Sequence, residues 1–254
     1  MSEYYKAQRT RNMFDPKSAK PLKISRSKLD LFLDCPRCFY LDRRLGVGQP
    51  PGYPFALNSA VDALLKKEFD YYREKQKPHP LISKHKIDAI PFKHRDIAEW
   101  RDSLKRGIWF HHKPSNLILT GGVDDVWFNS KEELIIVEYK ATSKATEVNL
   151  DADWQIGYKR QMEIYQWLFR QNGYKVCETG YFIYCNGKAD RAALDGKLEF
   201  DVAVLPYTGN SKWVESKLVT AKSTLMAKKV PDLTEDCDYC AYFSTVSAVL
   251  GQAM

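Results

Sequence analysis

The spacing of apolar residues along the chain predicts its helices. Apolar side chains recur every three or four residues over 56–75 and 153–171, which is the period of an amphipathic helix. In the first of these segments the apolar stripe consists of Leu57, Val61, Leu64, Leu65 and Phe69. Similar patterns predict helices from Ser27 toward Arg44, over 94–106 and over roughly 210–229.

Short apolar runs bounded by turn residues predict strands in the middle of the chain. These runs are "GIWFHH", "NLILTGG", "VDDVWF" and "ELIIVEYK", and two more lie at 180–187 and 197–204. The residues "FNSK" between the third and fourth runs predict a tight hairpin turn. Helices before, between and after the strands indicate an α/β fold with a mixed sheet.

Composition narrows the class of protein. The 254 residues are enough for one full-sized domain, and 44% hydrophobic with 28% charged residues is ordinary for a globular protein. No apolar stretch is long enough to cross a bilayer, and the polar N-terminus lacks the apolar centre of a signal peptide. We therefore expect a cytoplasmic protein with no membrane partner.

Positive charge is concentrated at the N-terminal end. Residues 1–44 contain eleven Lys and Arg against five Asp and Glu. We expect residues 1–22 to form a flexible basic arm, followed by a single domain over 23–254. Such an arm suits an anionic partner such as nucleic acid, and it is equally consistent with a solvated tail.

The run "LIIVEYKAT" (134–142) carries the first candidate chemistry. Residues two apart in a strand face the same side, so Glu138 and Lys140 project together. In the preceding predicted strand Asp124 and Asp125 face opposite sides, and antiparallel pairing brings one of them near Glu138. Two close carboxylates suit Mg²⁺ or Mn²⁺, beside which a lysine supports phosphodiester hydrolysis. The alternative is a Glu–Lys ion pair at a strand end, with both aspartates in a turn.

Four of the six cysteines form two C-x-x-C pairs at opposite ends of the chain: Cys35 with Cys38, and Cys237 with Cys240. In an intracellular protein this spacing indicates a metal site, and four thiolates suit either zinc or an iron–sulfur cluster. The alternative is that all four pack as small apolar residues.

Together these motifs resemble the core of the PD-(D/E)xK nucleases. The resemblance is to the RecB-like branch, which includes CRISPR-associated RecB-like exonucleases and AddB-type iron–sulfur nuclease domains. It covers roughly residues 24–242 and rests on "GGVDD", "IIVEYKAT", "QMEIY" and "SRSKLDLFLDCPRCFYL". It implies a restriction-endonuclease-like core, in which helices flank a central mixed sheet and a Cys₄ metal site joins the N- and C-termini.

The resemblance also implies roles for individual residues. Asp124 and Glu138 would bind Mg²⁺ or Mn²⁺ together with the backbone carbonyl of Tyr139, and Lys140 would assist the attacking water. Gln161 and Tyr165 match the Q-x-x-x-Y signature of the branch and would line the DNA path.

The early helix departs from the family pattern. The branch usually places a metal-binding histidine where this chain has Asp62. We expect Asp62 to supply an oxygen ligand, which would favour Mg²⁺ over softer ions. Otherwise Asp62 faces solvent and the site has lost a ligand.

The cysteine pattern departs as well. The iron–sulfur members hold a 4Fe–4S cluster with one N-terminal and three C-terminal cysteines, whereas this chain has two at each end. The resemblance favours the cluster and leaves Zn²⁺ as the alternative. Trp154 and Tyr158 could stack on bases, although packing in the core is the simpler interpretation of both.

The implied function is a metal-dependent DNA nuclease. In this branch the commonest activity is that of a single-stranded DNA exonuclease in DNA repair, recombination or CRISPR adaptation. The chain has no helicase motif, so a helicase or an adaptation complex is the expected partner. The competing hypothesis is a catalytically inactive nucleic-acid-binding module of the same fold.

Overall fold

The computed structural model describes residues 8–50, 52 and 56–252. The chain forms two compact units. One unit consists of Met1–Tyr53, Phe110–Thr120 and Trp213–Met254, and the other of Pro54–Trp109 and Gly121–Lys212. Both units are interrupted along the sequence, so their boundaries are set by long-range packing and not by linkers.

Helices and strands are interspersed along the chain. The first group is β1 (Leu22–Ser25), α1 (Arg26–Asp34), α2 (Pro36–Arg44), α3 (Ala56–Lys75), α4 (Pro80–Lys84), β2 (Ile90–Pro91) and α5 (Ile97–Trp100). The strands β3 (Ile108–His112), β4 (Leu117–Gly121), β5 (Asp125–Phe128) and β6 (Leu134–Thr142) follow. The chain continues with α6 (Ile156–Gln171), β7 (Thr179–Gly187), β8 (Phe200–Thr208), α7 (Trp213–Met226) and α8 (Asp238–Gln252).

A five-stranded sheet in the order β2-β5-β6-β7-β8 forms the centre of the second unit. The β6–β7 pair is parallel and the other pairs are antiparallel, so the sheet is mixed as predicted. The β5–β6 hairpin pairs Asp125 with Val137 and Phe128 with Leu134. The prediction of a mixed α/β fold is therefore confirmed, and β6 lies in the middle of the sheet.

Helices cover both faces of β6, which explains its unbroken apolar run. On one face Tyr139 packs near Phe69 of α3, with 5.8 Å between the ring centroids. On the other face Glu138 contacts Gln161 of α6. Val61 and Leu65 of α3 are buried with Phe69, as the stripe predicts, whereas Leu57 and Leu64 are exposed.

A smaller sheet and four helices belong to the other unit. Its strands are ordered β1-β4-β3, with β1 parallel to β4. The predicted continuous helix from Ser27 to Arg44 is wrong, because the backbone is extended at Cys35 and α2 begins at Pro36. A proline disfavours helical backbone in the residue before it, and the Cys35 sulfur caps α2 by accepting the Cys38 N–H at 3.3 Å.

The predicted helix over 94–106 is also shorter than expected. Only α5 is helical there, and the Asp102 side chain accepts the backbone N–H groups of Leu104 and Lys105. An aspartate that satisfies nearby N–H groups in this way favours a turn over a continuing helix. The short elements β1, α4 and β2 and the C-terminal helix α8 are not predicted by the apolar pattern.

Much of the N-terminal positive charge is used inside its own unit. The buried carboxylate of Asp42 lies 3.0 Å from Arg9, 2.8 Å from Lys28 and 2.7 Å from Arg43. Two more arginines donate to backbone carbonyls, Arg37 to Pro231 and Arg44 to Leu225. Residues 1–7 of the predicted basic arm lie outside the described residues, and the division into an arm and a single domain stays a prediction. No helix in the described ranges has the length and apolar character needed to span a membrane.

His79 makes the stability of the second unit sensitive to acid. It is almost fully buried and stacks on Phe69 with 4.0 Å between the rings, and burial lowers its pKa although Glu68 opposes the shift. The unfolded chain therefore takes up a proton near the ordinary value of 6.5 while the folded chain resists it. The free energy of unfolding should fall as the pH drops below 6.5, by at most about 1.4 kcal/mol per pH unit.

Urea unfolding at pH 7.5 and pH 5.5 tests this expectation. In the variant His79→Asn the side chain can still accept the Leu81 N–H that His79 Nδ1 caps, but it cannot take up a proton. We expect the wild type to lose more stability between the two pH values than His79→Asn does. An equal loss in both proteins would show that His79 is not the group responsible.

Candidate active site

Glu138 and Lys140 form the centre of a hydrogen-bonded cluster at β6. Glu138 is only 1% exposed. Its Oε2 accepts hydrogen bonds from Lys140 Nζ at 3.1 Å and from Gln161 Nε2 at 2.8 Å. Lys140 Nζ also donates to Gln161 Oε1 at 3.1 Å, so the three side chains form a closed triangle. The predicted proximity of Glu138 and Lys140 is thus present, and Gln161 holds both.

Tyr165 connects this triangle to the strand that precedes the aspartates. Gln161 Nε2 donates to the Tyr165 hydroxyl at 3.2 Å, because residues four apart on α6 share a face. The Tyr165 ring lies directly on Gly121, where an added Cβ would be 2.4 Å from Cε1 of the ring. The glycine of the Gly-x-x-Asp motif is therefore needed for the close approach of the tyrosine of the Q-x-x-x-Y motif.

Asp124 lies across the hairpin from Glu138. The β5–β6 register pairs Asp125 with Val137, and its continuation by one residue places Asp124 opposite Glu138. Asp124 Oδ2 accepts the backbone N–H of Tyr139 at 2.9 Å, which fixes the carboxylate beside the strand. The structure thus brings together the two carboxylates that the sequence selects as metal ligands.

Asp62 faces the same pocket from α3. Asp62, Asp124, Tyr139 and Lys140 line a pocket of about 320 Å³. Lys66, one helical turn after Asp62, places its ammonium 2.8 Å from Asp62 Oδ2 and 3.6 Å from Asp124 Oδ1. The sequence reasoning missed Lys66, although its i,i+4 spacing from Asp62 is visible in "DALLK".

The pocket supplies oxygen donors of the type that Mg²⁺ or Mn²⁺ binds, and Glu138 lies buried beside it, hydrogen-bonded to the lining residue Lys140. The candidate donors are carboxylate oxygens, which these hard ions prefer. Glu138 Oε1 is buried and has no hydrogen-bond partner among the described residues, so one ligand lone pair is available. The Lys66 ammonium already bridges Asp62 and Asp124, which shows that a positive charge is favoured at that position. Among the described residues, the group of three or more His, Cys, Asp or Glu side chains placed to hold a metal ion is the cysteine set described below, and it does not include these three carboxylates.

The raised pKa of Glu138 also favours a cation beside this carboxyl. Burial raises the pKa of Glu138, and the nearby Asp124 carboxylate raises it further, to about 8 despite the opposing charge of Lys140. A buried carboxyl beside another carboxylate gives up its proton readily only when a cation compensates the charge. The cluster therefore favours either a proton or a metal ion at Glu138.

Asp125 has a structural role that the sequence reasoning did not identify. It is completely buried and faces away from Asp124, where it accepts hydrogen bonds from Arg73, from Arg101 at 3.0 Å and from the Tyr139 hydroxyl at 2.9 Å. Arg101 Nε also donates to the backbone carbonyl of Asp124 at 3.0 Å. This network fixes the backbone on which Asp124 is held, and its sequence signal is the second aspartate of "VDD".

The four paired cysteines form a separate buried cluster in the other unit. The Cys35 and Cys240 sulfurs are 3.6 Å apart, the Cys38 and Cys237 sulfurs are 3.7 Å apart, and all four lie within 4.8 Å of one another. Burial disfavours the Cys35 thiolate, but hydrogen bonds with Thr234 and Cys38 lower the pKa of its thiol to about 7. The predicted joining of the N- and C-terminal segments by these cysteines is confirmed, and the set could hold a metal. Cys185, which lies outside this set, packs in the apolar core.

The buried Glu138 yields a test in metal-free protein. Its folded-state pKa of about 8 lies above the ordinary value of 4.5, so the free energy of unfolding falls as the pH rises from 4.5 to 8. Gln cannot ionise. In EDTA we expect Glu138→Gln to be more stable than the wild type at pH 8, by a few kcal/mol, and nearly equal to it at pH 5.

Thermal and urea unfolding at both pH values provide the measurement. Glu74→Gln is the matched control, because Glu74 is exposed and pairs only with Lys93 at the surface of the same unit. If Glu138→Gln were less stable than the wild type at pH 8 in EDTA, the result would contradict the assignment of Glu138 as a buried ligand whose ionisation destabilises the metal-free protein.

Comparisons with known proteins identify the family of this chain. No curated protein matches the sequence. The solved structure described as the crystal structure of SSO0001 aligns with 90% of this chain and 86% of its own, at 17% identity and a TM-score of 0.44. A sequence profile described as the PD-(D/E)XK nuclease superfamily matches residues 23–245, which is most of the chain and contains both clusters. This protein therefore belongs to the PD-(D/E)XK nuclease superfamily.

Proposed function

We propose that this protein is a metal-dependent deoxyribonuclease whose active site is the pocket between α3 and the end of β6. Membership of the superfamily suggests nuclease activity and a DNA substrate. The observation that carries the proposal is the buried Glu138, which has one oxygen without a partner and a second oxygen held by Lys140 and Gln161. Such an arrangement costs stability unless a cation binds beside it.

The residues divide the work of hydrolysis. Asp124 and Glu138 would hold Mg²⁺ or Mn²⁺, with Asp62 and the backbone carbonyl of Tyr139 as further ligands. Bound there, the ion would polarise the phosphate and supply an activated water. The Lys140 ammonium, 3.1 Å from Glu138, is positioned to orient that water or to stabilise charge on a phosphate oxygen. Gln161 holds Lys140 and Glu138 in position through hydrogen bonds, and its amide donates to the Tyr165 hydroxyl.

We further infer that the protein belongs to the RecB-like branch and acts as an exonuclease on single-stranded DNA in the cytoplasm. The support is the joint presence of Gly-x-x-Asp, Glu-x-Lys and Q-x-x-x-Y, together with the cysteine pairs. We propose that such an exonuclease acts in DNA repair, recombination or CRISPR adaptation, together with a helicase or an adaptation complex as its partner. The N-terminal basic residues contribute less to DNA binding than their number suggests, because at least six of the eleven have partners inside the unit.

One observation favours the competing hypothesis of an inactive nucleic-acid-binding module. The Lys66 ammonium neutralises Asp62 and Asp124 without any metal. If this ion pair were permanent, only Glu138 would remain for a divalent ion. The unpartnered oxygen of Glu138 favours the nuclease over this alternative.

Cleavage of end-labelled single- and double-stranded DNA tests the nuclease proposal. We expect cleavage with Mg²⁺ or Mn²⁺ and none in EDTA. Removal of a ligand or of the charged donor in Glu138→Gln and Lys140→Ala should reduce the rate by about 10²-fold or more. Glu74→Gln removes an exposed carboxylate of α3 and should cut at the wild-type rate. Cleavage by Glu138→Gln at the wild-type rate would refute the site, and DNA binding without any cleavage by the wild type would favour the inactive module.

For the cysteine cluster we propose one structural Zn²⁺ ion in place of the 4Fe–4S cluster that the resemblance favours. Four sulfurs around one ion with Zn–S bonds of 2.3 Å form a tetrahedron with edges of about 3.8 Å. The closest sulfur pairs are 3.6 and 3.7 Å apart and none exceeds 4.8 Å. A cubane cluster places a separate iron behind each thiolate, so its four sulfurs must stand farther apart than around one shared ion.

Metal analysis of the purified protein distinguishes the two. We expect one zinc per chain and a colourless protein, with zinc lost and the melting temperature lowered in Cys237→Ser. Cys177→Ser, which changes a cysteine outside the cluster, should retain the metal. A brown protein with iron, sulfide and broad visible absorbance would overturn the zinc assignment.

A further inference from the structure

Trp154 is exposed, contrary to the expectation that it packs in the core. It lies in the short 3₁₀ turn Asp153–Gln155 before α6, and 59% of its surface is exposed. Trp100, Trp127 and Trp167 are buried. Trp154 makes an edge-to-face contact with Tyr158, with 5.5 Å between the centroids. Tyr158 is half-buried, so the exposed aromatic surface is mainly that of Trp154, and an exposed tryptophan is a common feature of ligand-binding surfaces.

Lysines flank both rings. Lys140 Nζ of the active site lies 4.6 Å from the centre of the Tyr158 ring, and Lys144 Nζ lies 5.4 Å from that of Trp154. Lys144 forms no ion pair with a carboxylate of the described residues, so its charge is available to a ligand. Asp153, which precedes Trp154 in the turn, is an acidic residue next to the aromatic pair. The order along the surface is therefore cation, aromatic, aromatic, cation.

The aromatic pair connects two pockets of the same unit. Tyr158 lines the active-site pocket with Asp124 and Lys140. Lys144, in contact with Trp154, lines a larger pocket of about 780 Å³ beyond the end of β6. Its lining includes the lysines Lys144 and Lys188 and the carboxylates Glu147, Asp190 and Asp201. Lys188 pairs with Asp201 at 2.7 Å, which leaves Lys144 as the more available cation.

We propose that Trp154 and Tyr158 form a stacking platform for the bases of single-stranded DNA next to the scissile phosphate. This inference rests on the proposed nuclease function and names its substrate class from different residues. Aromatic rings accept the face of any base, and lysines at each end contact the phosphates. Lys144 would hold a phosphate on the far side of the platform.

The platform selects single strands for a physical reason. In a duplex both faces of an internal base are covered by its neighbours, so the base cannot lie on a protein ring without unstacking. A single strand offers a free base face at little cost. The surface should therefore discriminate by strandedness and not by sequence.

Binding of a short labelled oligothymidylate in EDTA tests the platform without cleavage. Trp154→Ala should raise the dissociation constant about tenfold or more. Trp154→Phe keeps an aromatic face, so its dissociation constant should stay within about threefold of the wild-type value. Trp109→Ala is the matched control, because Trp109 is 51% exposed but lines neither pocket. Binding of a blunt duplex should be unchanged by Trp154→Ala.

Kinetics with Mg²⁺ separate this proposal from the nuclease proposal. If the wild type cleaves single-stranded DNA, Trp154→Ala should raise KM with little change in kcat, because the ring acts in binding and not at the phosphate. Trp154→Ala that binds and cleaves as the wild type does would overturn the platform and leave the nuclease assignment standing. A wild type that binds the oligonucleotide but never cleaves it would refute the nuclease, while the Trp154→Ala binding ratio would still decide the platform.

Discussion

The burial of the Glu138 carboxylate beside Asp124 is the constraint around which the second unit is organised. A carboxylate in the central strand of a two-sided sheet loses its hydration, and that loss costs several kcal/mol unless partners replace the water. Lys140 and Gln161 replace it at one oxygen only. The other oxygen is buried without a hydrogen-bond partner among the described residues, so its lone pairs are available to a cation. An ionised Glu138 therefore lowers the stability of the fold unless a cation compensates its charge.

The two adjacent aspartates show how the fold separates support from chemistry. Because neighbouring residues of an extended chain face opposite sides, one hairpin places Asp124 toward the pocket and Asp125 into the core. Asp125 is fully paired with Arg73, Arg101 and the Tyr139 hydroxyl. Arg101 in turn holds the Asp124 backbone, so the rigid network behind the strand fixes the position of the candidate ligand in front of it.

The other unit uses its charged and sulfur-containing residues mainly for its own cohesion. Asp42 gathers three basic side chains inside the protein, and the four cysteines tie the start of α2 to the start of α8. A basic composition is thus a weak guide to a nucleic-acid-binding surface when a buried carboxylate pairs with several of the basic side chains. The more informative surface lies beside the candidate active site, where the exposed Trp154 and the half-buried Tyr158 lie between two lysines.

Local patterns in the sequence determined the elements that depend on neighbouring residues alone. The helix α3, the buried strand β6, its hairpin with β5, and the shared faces of Glu138 with Lys140 and of Gln161 with Tyr165 follow from periods of two and 3.6 residues. The motifs at these positions also identified the family and the paired cysteines. What only the tertiary structure decided involves residues far apart in the chain. It placed Lys66 between two carboxylates, Arg101 behind Asp124, the Tyr165 ring on Gly121, and the four sulfurs at the spacing of a single ion. Whether Trp154 would be core or surface could not be read from its helical spacing, because burial depends on which elements pack against a residue and not on its period.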